Sequence, residues 1–252
     1  MKKQTILLVA ILMVPFVNAG INDGLAAFYH LDGNATDSSA NNNNGTVYGA
    51  TVTNGYDGTP DSAYYFDGGN DYIFIPSSSS LDITGSVSLC VWVKNDGDDR
   101  GQIMWRGDTQ NAKDPYMLHI HENNMDFRQD RGDGVHGGTG QYIVSSEAVD
   151  NNWHFWVGVL DVEASKSYLY RDGTLQDSID VIEPIQYSTA NMWNVIGAVD
   201  NGDWQFFRGT IDEVRIYNRA LTYTEVIEIQ NIPEPCTLLL FGLGGLLIRK
   251  RK

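Results

Sequence analysis

The chain contains little cysteine and little positive charge. Two cysteines in 252 residues, Cys90 and Cys236, do not make a disulfide-rich scaffold, and we expect no structural disulfide. The 17 Lys and Arg residues are outnumbered by 32 Asp and Glu residues, which gives a formal net charge of −15. Because such a surface repels phosphate groups, its charge argues against nucleic acid or anionic lipid as a partner. The acidity indicates either a solvated acidic face or a shell that attracts Ca²⁺.

Helical periodicity of useful length is also missing from residue 20 to about residue 230. Short alternating runs are separated instead by Gly, Asn, Asp and Ser, a pattern typical of an all-β sandwich. A hydrophobic content of 42% is sufficient for one sizeable core. The sequence therefore predicts one β domain with additional segments at its ends.

The N-terminal segment has the features of a secretory signal peptide over residues 1–19. Lys2 and Lys3 precede an apolar run, Ile6–Val17, and Val17-Asn18-Ala19 supplies small residues for cleavage. The alternative is a retained membrane anchor, but the apolar run is short for a membrane span. We therefore expect the chain to leave the cytoplasm.

The C-terminal segment has three parts in a fixed order. Pro233-Glu234-Pro235 is followed by the apolar run Cys236–Ile248 and then by the basic cluster Arg249–Lys252. The apolar run would be about 20 Å long as a helix, against a hydrocarbon core of about 30 Å. This segment resembles the PEP-CTERM sorting signal of Gram-negative bacteria. The resemblance implies processing by exosortase after transient anchoring in the inner membrane; the alternative is an ordinary anchor that follows a chance motif.

Alternation between apolar and polar residues predicts the strands of the domain. They are Gly24–Leu31, Tyr64–Phe66, Tyr72–Ile75, Val87–Lys94, Gln102–Arg106, Tyr116–His121, Met125–Arg128, Asn152–Leu160, Ser167–Tyr170, Thr174–Asp177 and a strand within Gly209–Leu221. Asp67–Asp71 predicts a tight turn, and Arg171-Asp172-Gly173 predicts a hairpin. Thr222 and Glu225 have capping-box spacing and predict a short closing helix.

Six blocks occur in an order that resembles a known family. They are YHLDGNATDSSANNNNGT, AYYFDGGNDYIFIPSS, SVSLCVWVK, NNWHFWVGVLD, SYLYRDGTL and GTIDEVRIYNRAL. Together they resemble the laminin-G-like jelly-roll family of the concanavalin A-like lectin/glucanase superfamily. The resemblance implies a two-sheet antiparallel jelly-roll sandwich over residues 20–231, with neighbouring first and last strands. The signal peptide 1–19 and the sorting and anchor segment 232–252 would flank it.

Asp212 is the most unusual residue of the last strand. It shares the parity of Val214 and Ile216, so it should point towards the core unless a bulge intervenes. A buried carboxylate must then be paired or bound to a cation. It could also accept hydrogen bonds from backbone amides, or pair with Arg215 or Arg219.

Pairing of the first and last strands would bring Asp212 close to the turn that follows the first strand. Oxygen ligands suit Ca²⁺, and the predicted calcium ligands are Asp32, Asn34, Asp37 and Asp212. The family resemblance supports this prediction, because members often hold a structural Ca²⁺ near their joined termini.

The acidic residues do not form the pattern expected of a glycosidase. Such an enzyme needs two carboxylates that flank the sugar, but the chain has no E-x-D-x-E strand motif, and Asp161-x-Glu163 and Asp212-Glu213 are the nearest approximations. His119 and His121 share a strand face and are more typical of an exposed pair than of a zinc site. We therefore do not expect an enzyme.

Aromatic residues are the remaining candidates for ligand contact. Those that could stack on a sugar are Trp105, Trp153, Trp156, Trp193, Trp204, Tyr116 and Tyr142. We expect most of them in the core, and we predict Trp204 and Phe206 as the ligand-binding pair at a rim. The two Arg-Gly-Asp tripeptides, at residues 106–108 and 131–133, are interpreted as chance.

Three functions agree with these observations. The first is a non-enzymatic binding module that associates with polysaccharide or extracellular matrix in the envelope of a Gram-negative bacterium. The second is a glucanase-like carbohydrate-active enzyme on the same fold. The third is a structural envelope protein without a specific small ligand.

Overall fold

The computed structural model describes most of the chain between residues 20 and 232. The described residues are 20–108, 113–129, 141–181, 192–200, 202 and 205–232, with only the backbone described at 113 and 141–148. The predicted signal peptide 1–19 and the sorting motif Pro233, Glu234 and Pro235 lie outside them. Within these ranges, no helix has the length and apolar character needed to cross a membrane.

The described residues form fifteen strands and one helix. The strands are β1 (Leu25–Tyr29), β2 (Thr46–Tyr48), β3 (Thr51–Thr53), β4 (Ala63–Asp67), β5 (Tyr72–Ile75), β6 (Val87–Asn95), β7 (Arg100–Asp108), β8 (Lys113–His121), β9 (Asn124–Gln129), β10 (Gln141–Ala148), β11 (Trp153–Asp161), β12 (Lys166–Arg171), β13 (Thr174–Asp180), β14 (Trp193–Ile196) and β15 (Arg208–Tyr217). The helix is α1 (Tyr223–Gln230).

The strands form two antiparallel sheets that pack against each other. One has eight strands in the order β13-β12-β11-β6-β15-β4-β3, with β1 paired to β15, and the other has seven in the order β10-β9-β8-β7-β14-β5-β2. The predicted all-β two-sheet sandwich is confirmed, and so is the pairing of its first and last strands.

The main core lies between the two sheets. Alternate residues of β8 and β9, such as Leu118 and Phe127, are buried there against residues of β6, β11 and β15. Gly158 on β11 lies so close to the ring of Phe127 on β9 that a Cβ atom at this position would overlap the ring. A glycine is therefore needed at this contact between the sheets.

The two predicted turns have different roles. Asp172 and Gly173 both adopt positive φ angles, 49° and 72°, and join the paired strands β12 and β13 as a hairpin. The turn at residues 67–71 does not join paired strands, because β4 pairs with β15 and β5 pairs with β14. It carries the chain from one sheet to the other, which local sequence does not reveal.

Asp212 does not share the facing of Val214 and Ile216, because β15 contains a bulge, the stated exception to the parity prediction. The register with β6 shifts between Asp212 and Arg215, and Glu213 has a φ angle of 51°. Ile211 and Val214 consequently both face the core, whereas the Asp212 carboxylate contacts the loop at Tyr56. The carboxylate is nevertheless fully buried.

The closing helix has the predicted capping box. The Glu225 N–H donates to the Thr222 side chain, and the Glu225 carboxylate accepts from the Thr222 N–H. Val226 and Ile229 pack against Cys90 and Tyr217 on the outer face of the eight-stranded sheet. Cys90 is a fully buried free cysteine, and burial raises the pKa of its thiol to about 12, as expected for a packing residue.

Candidate functional site

A groove of about 830 Å³ lies on the outer face of the seven-stranded sheet. It is formed by β7, β8, β9 and the segment that follows β14. Alternation on β8 explains most of its lining: Leu118 is buried in the main core, while Met117, His119 and His121 line the groove. Asp126 and Arg128 on the neighbouring β9 follow the same pattern.

A bulge in β7 adds a polar residue to this face. Gln102 lies opposite His119, and Trp105 lies opposite Met117, with a register shift between Gln102 and Met104. Without the shift, Gln102 and Trp105 would face opposite sides of the sheet. Both instead line the groove.

Among the groove residues, buried atoms without a hydrogen-bond partner in the described part of the structure include Oε1 of Gln102, Nδ1 of His119 and Oδ1 of Asp126. Asp126 is only 6% exposed, and its second oxygen lies 3.4 Å from Nε2 of His119. Because buried polar atoms are nearly always satisfied, such a concentration indicates that ordered water or a ligand group completes the hydrogen bonding here.

The groove has mixed charge with an acidic excess. Its described lining includes four carboxylates, Asp114, Glu122, Asp126 and Asp200, and two guanidinium groups, Arg100 and Arg128. The indole N–H of Trp105 donates to Oδ1 of Asp114 at 2.9 Å, which holds this carboxylate at the groove wall. Sequence reasoning identified Trp105 and His119 but did not assemble this site.

The predicted ligand-binding pair is only partly described. Trp204 lies outside the described residues. Phe206 is half-buried and packs against the apolar cluster of Trp105, Met117 and Val195 beneath the groove. Gln205, next in the chain, lines the groove itself.

The other aromatic candidates divide as expected between core and surface. Trp156 and Tyr116 are buried in the main core, and burial raises the pKa of Tyr116 to about 12. Trp153 and Trp193 are half-buried. The Tyr142 side chain is outside the described part of the structure.

The histidine pair and one tripeptide have different environments from those predicted. His121 is exposed, but the side chain of His119 is mostly buried beside Asp126. Arg106 is fully buried in β7, where it pairs with Asp82 and hydrogen-bonds Asn194. The tripeptide at residues 106–108 is therefore part of the core, and the one at 131–133 lies outside the described residues.

Asp37, one of the predicted calcium ligands, accepts hydrogen bonds from within the protein. Its Oδ1 accepts hydrogen bonds from the N–H groups of Phe28 and Ser39, and its Oδ2 accepts from the Ser39 hydroxyl and the Asn43 N–H. A carboxylate offers about four acceptor positions, and these four donors fill them. Asp37 therefore fastens the loop after β1 to that strand.

The other predicted ligands are also in contact with the protein. Oδ1 of Asn34 accepts from the Thr36 N–H at 2.9 Å, and Oδ2 of Asp212 accepts from the Tyr56 N–H at 3.0 Å. Asp32 is exposed. In the described part of the chain, no group of three or more His, Cys, Asp or Glu side chains is arranged to hold a metal ion. The calcium site stays a prediction, with Asp32 and Asn34 as its exposed ligands.

A second charged cluster surrounds the bulge of β15. Nδ1 of His30 lies 2.6 Å from Oε1 of Glu213, and the other oxygen of Glu213 accepts from Arg215. Burial alone lowers the pKa of His30, but the hydrogen bond and charge of Glu213 outweigh it, so the pKa is raised. Partial burial and the negative charges of Glu213 and Asp57 raise the pKa of Asp32, against the opposing effect of His30.

Comparison with solved structures finds the same fold in toxin binding domains. The receptor binding domain of botulinum neurotoxin C/D mosaic serotype is 15% identical, with a TM-score of 0.65 over 83% of this chain and 51% of that chain. The binding domain of Paraclostridial Mosquitocidal Protein 1 is 18% identical, with a TM-score of 0.65 over 84% and 52%. The binding domain of botulinum neurotoxin DC in complex with SialylT is 15% identical, with a TM-score of 0.64 over 84% and 52%.

The chain thus spans about half the length of these structures. No curated protein matches it in sequence. The family model Laminin_G_3, described as Concanavalin A-like lectin/glucanases superfamily, matches residues 67–227, which include strands of both sheets and the whole groove. The chain therefore belongs to this laminin-G-like family of the concanavalin A-like superfamily.

Proposed function

We propose that this protein is a non-enzymatic binding module whose groove on the seven-stranded sheet binds carbohydrate. The observation that carries the proposal is the set of unpartnered buried atoms on Gln102, His119 and Asp126. A sugar presents several hydroxyl groups, each of which can donate and accept a hydrogen bond. Directly or through bridging water, such a ligand can supply the hydrogen bonds that the Gln102 and Asp126 oxygens and the His119 nitrogen lack.

The groove also has the general composition of a small-ligand site. Apolar side chains such as Met117 and Val199 lie beside a few convergent polar groups, and the volume falls within the usual range for ligand sites. The structural neighbours support a binding role, since they are binding domains and one is in complex with SialylT.

An enzyme on the same fold is the second candidate. A retaining glycosidase requires carboxyl groups about 5–5.5 Å apart across the scissile bond. The groove carboxylates include Asp114, which accepts from Trp105, and Asp126, which lies beside His119, and the chain has no E-x-D-x-E strand motif to project a catalytic set. Release of reducing sugar from polysaccharides would establish the enzyme instead.

The proposed site of action is the bacterial envelope. The signal peptide would export the chain, and the sorting motif Pro233, Glu234 and Pro235 would direct it to exosortase after transient anchoring in the inner membrane. The resemblance of the C-terminal segment to PEP-CTERM signals supports this part of the proposal. Polysaccharide or matrix outside the cell would then be the partner of the groove.

A glycan array followed by calorimetry tests the function. We expect the full chain to bind a subset of glycans, and Asp126→Asn to weaken that binding about ten- to hundredfold, the effect of losing a hydrogen bond to a charged group. Asp99→Asn, at an exposed position outside the groove, is the matched control and should bind normally. If no glycan binds, or if the two variants bind equally well, the proposed function is wrong.

A further inference from the structure

A group of aromatic side chains lies on the same sheet as the groove, on strands β2, β5 and β14. Tyr48 and Tyr72 are stacked, with ring centroids 4.7 Å apart and an interplanar angle of 13°. Phe74 and Trp193 meet edge to face at 5.9 Å. We call these four residues the aromatic platform.

The platform is accessible to solvent. Tyr48 is 45% exposed, and the other three side chains are half-buried. Single exposed aromatics are common, but four in two adjoining pairs on one face form an apolar patch of the kind that marks interaction sites. Tyrosine and tryptophan also combine an apolar ring with a polar edge, which suits a ligand that has both apolar and polar surface.

Strand register joins the platform to the groove. Phe74 pairs with Val195, Val195 with Trp105, Trp105 with Met117, and Met117 with Arg128. Directly paired residues of neighbouring strands lie on the same face of a sheet. This row of paired residues therefore runs along one face of the sheet, from Phe74 in the platform to Arg128 in the groove.

We propose that the bound ligand is an extended neutral polysaccharide whose chain runs across the strands, with some sugar units in the groove and others stacked on the aromatic platform. The inference rests on the proposed carbohydrate-binding function of the groove. From β9 to β2 there are five strand spacings, or about 24 Å at about 4.8 Å each. Only a chain of several sugar units can contact both ends.

The negative charge of the groove and of the whole chain disfavours a polyanionic ligand. The groove has four carboxylates against two guanidinium groups, and the whole chain has a formal net charge of −15. A polymer of uronic acids or sulfated sugars would meet repulsion along this face. The aromatic rings, in turn, offer stacking surfaces for the C–H faces of neutral sugar rings.

Affinity as a function of ligand length tests the inference. The full chain is titrated with β-glucan, galactomannan and dextran, with their trisaccharides, and with alginate as a polyanion. We expect a neutral polymer to bind more tightly than its trisaccharide. In Tyr48→Ala the ratio of polymer affinity to trisaccharide affinity should fall about three- to tenfold, the effect of one lost aromatic contact. Tyr48→Phe retains the ring and should restore the ratio.

Tyr223→Ala is the matched control. Tyr223 is 58% exposed, but it lies on α1, which packs on the other sheet, and its removal should leave the ratio unchanged. Equal ratios in Tyr48→Ala and Tyr223→Ala would overturn the platform while the groove function stands. Tighter binding of alginate than of every neutral polymer would overturn the neutral ligand. Absence of binding to all these probes would overturn the proposed function and this inference together.

Discussion

The backbone N–H of Tyr56 donates a 3.0 Å hydrogen bond to Oδ2 of Asp212, although 156 positions separate the two residues. The Tyr56 ring also stacks on Trp92, with centroids 4.2 Å apart and an interplanar angle of 7°. Its hydroxyl donates to the Ile232 carbonyl at 3.0 Å. One loop residue thus covers the buried carboxylate and contacts the last described residue.

We predict that Asp212→Ala lowers the free energy of unfolding by about 2–3 kcal/mol, because a buried amide loses a charged acceptor. Urea unfolding monitored by tryptophan fluorescence measures this change. Asp99→Ala removes an exposed aspartate and should change stability by no more than about 0.5 kcal/mol. Equal losses in the two variants would show that the Tyr56 contact contributes nothing.

Calcium should raise the melting temperature of the domain if the predicted site exists. Free Ca²⁺ at about 100 times its Kd would add about 2.7 kcal/mol to stability. Melting curves in Ca²⁺ and in EDTA measure the difference, and Asp32→Ala should reduce it. Asp37→Ala, by contrast, should lower stability equally in both buffers, because that carboxylate holds protein donors. Identical wild-type midpoints in the two buffers would refute the calcium prediction.

Stability should depend on pH through His30. Its folded-state pKa is raised above the unperturbed value of 6.5, so its ion pair with Glu213 contributes fully below that value and is lost as pH rises through the folded pKa. We expect His30→Gln to be less stable than wild type by about 1 kcal/mol at about pH 5.5, with a smaller difference at alkaline pH. Urea unfolding at a series of pH values measures the stability difference between His30→Gln and wild type. The same comparison is repeated in a Glu213→Gln background. A pH-independent difference would contradict the prediction.

Gly158→Ala should destabilise the sandwich by about 1–3 kcal/mol, because the added methyl group overlaps the ring of Phe127 and forces the sheets to adjust. Gly85→Ala is the matched control, since a Cβ atom there meets nothing within 4 Å. Chemical denaturation of the two variants provides the comparison. Equal stability would mean that the sheets adapt to the methyl group without cost.

The C-terminal segment should be dispensable for folding. A chain truncated after Ile232 should melt like the full chain, whereas truncation after Asn231 should cost about 1 kcal/mol through loss of the Tyr56 hydrogen bond. Tyr56→Phe in the longer truncation should reproduce the cost. That result would place the domain boundary at residue 232, one residue beyond the 231 predicted from sequence.

Processing of the same segment is tested in a bacterial host that contains exosortase. Mass spectrometry of the mature surface protein should find the residues beyond Pro235 missing. Recovery of the basic cluster Arg249–Lys252 on the mature protein would make the segment an ordinary membrane anchor.

Most of the long strands could be predicted from the sequence, because alternation is a local signal. Short strands such as β2 and β3 escaped prediction, since three residues carry too little pattern. The hairpin at Asp172 and Gly173 was predictable from its turn residues, but the change of sheet at residues 67–71 was not, because it depends on which strands arrive beside β4 and β5.

Local patterning thus establishes the β class, the hairpin, the capping box of α1 and the acidity of the surface. The groove and the surroundings of Asp212 depend on long-range packing, because a bulge at each place changes which face of its sheet a residue points to. The bulge in β7 brings Gln102 onto the face of Trp105, and the bulge in β15 turns Asp212 away from the main core. A bulge forms where paired strands differ by one residue in length between fixed contacts. That mismatch is a property of two distant segments together, and neither segment alone contains it.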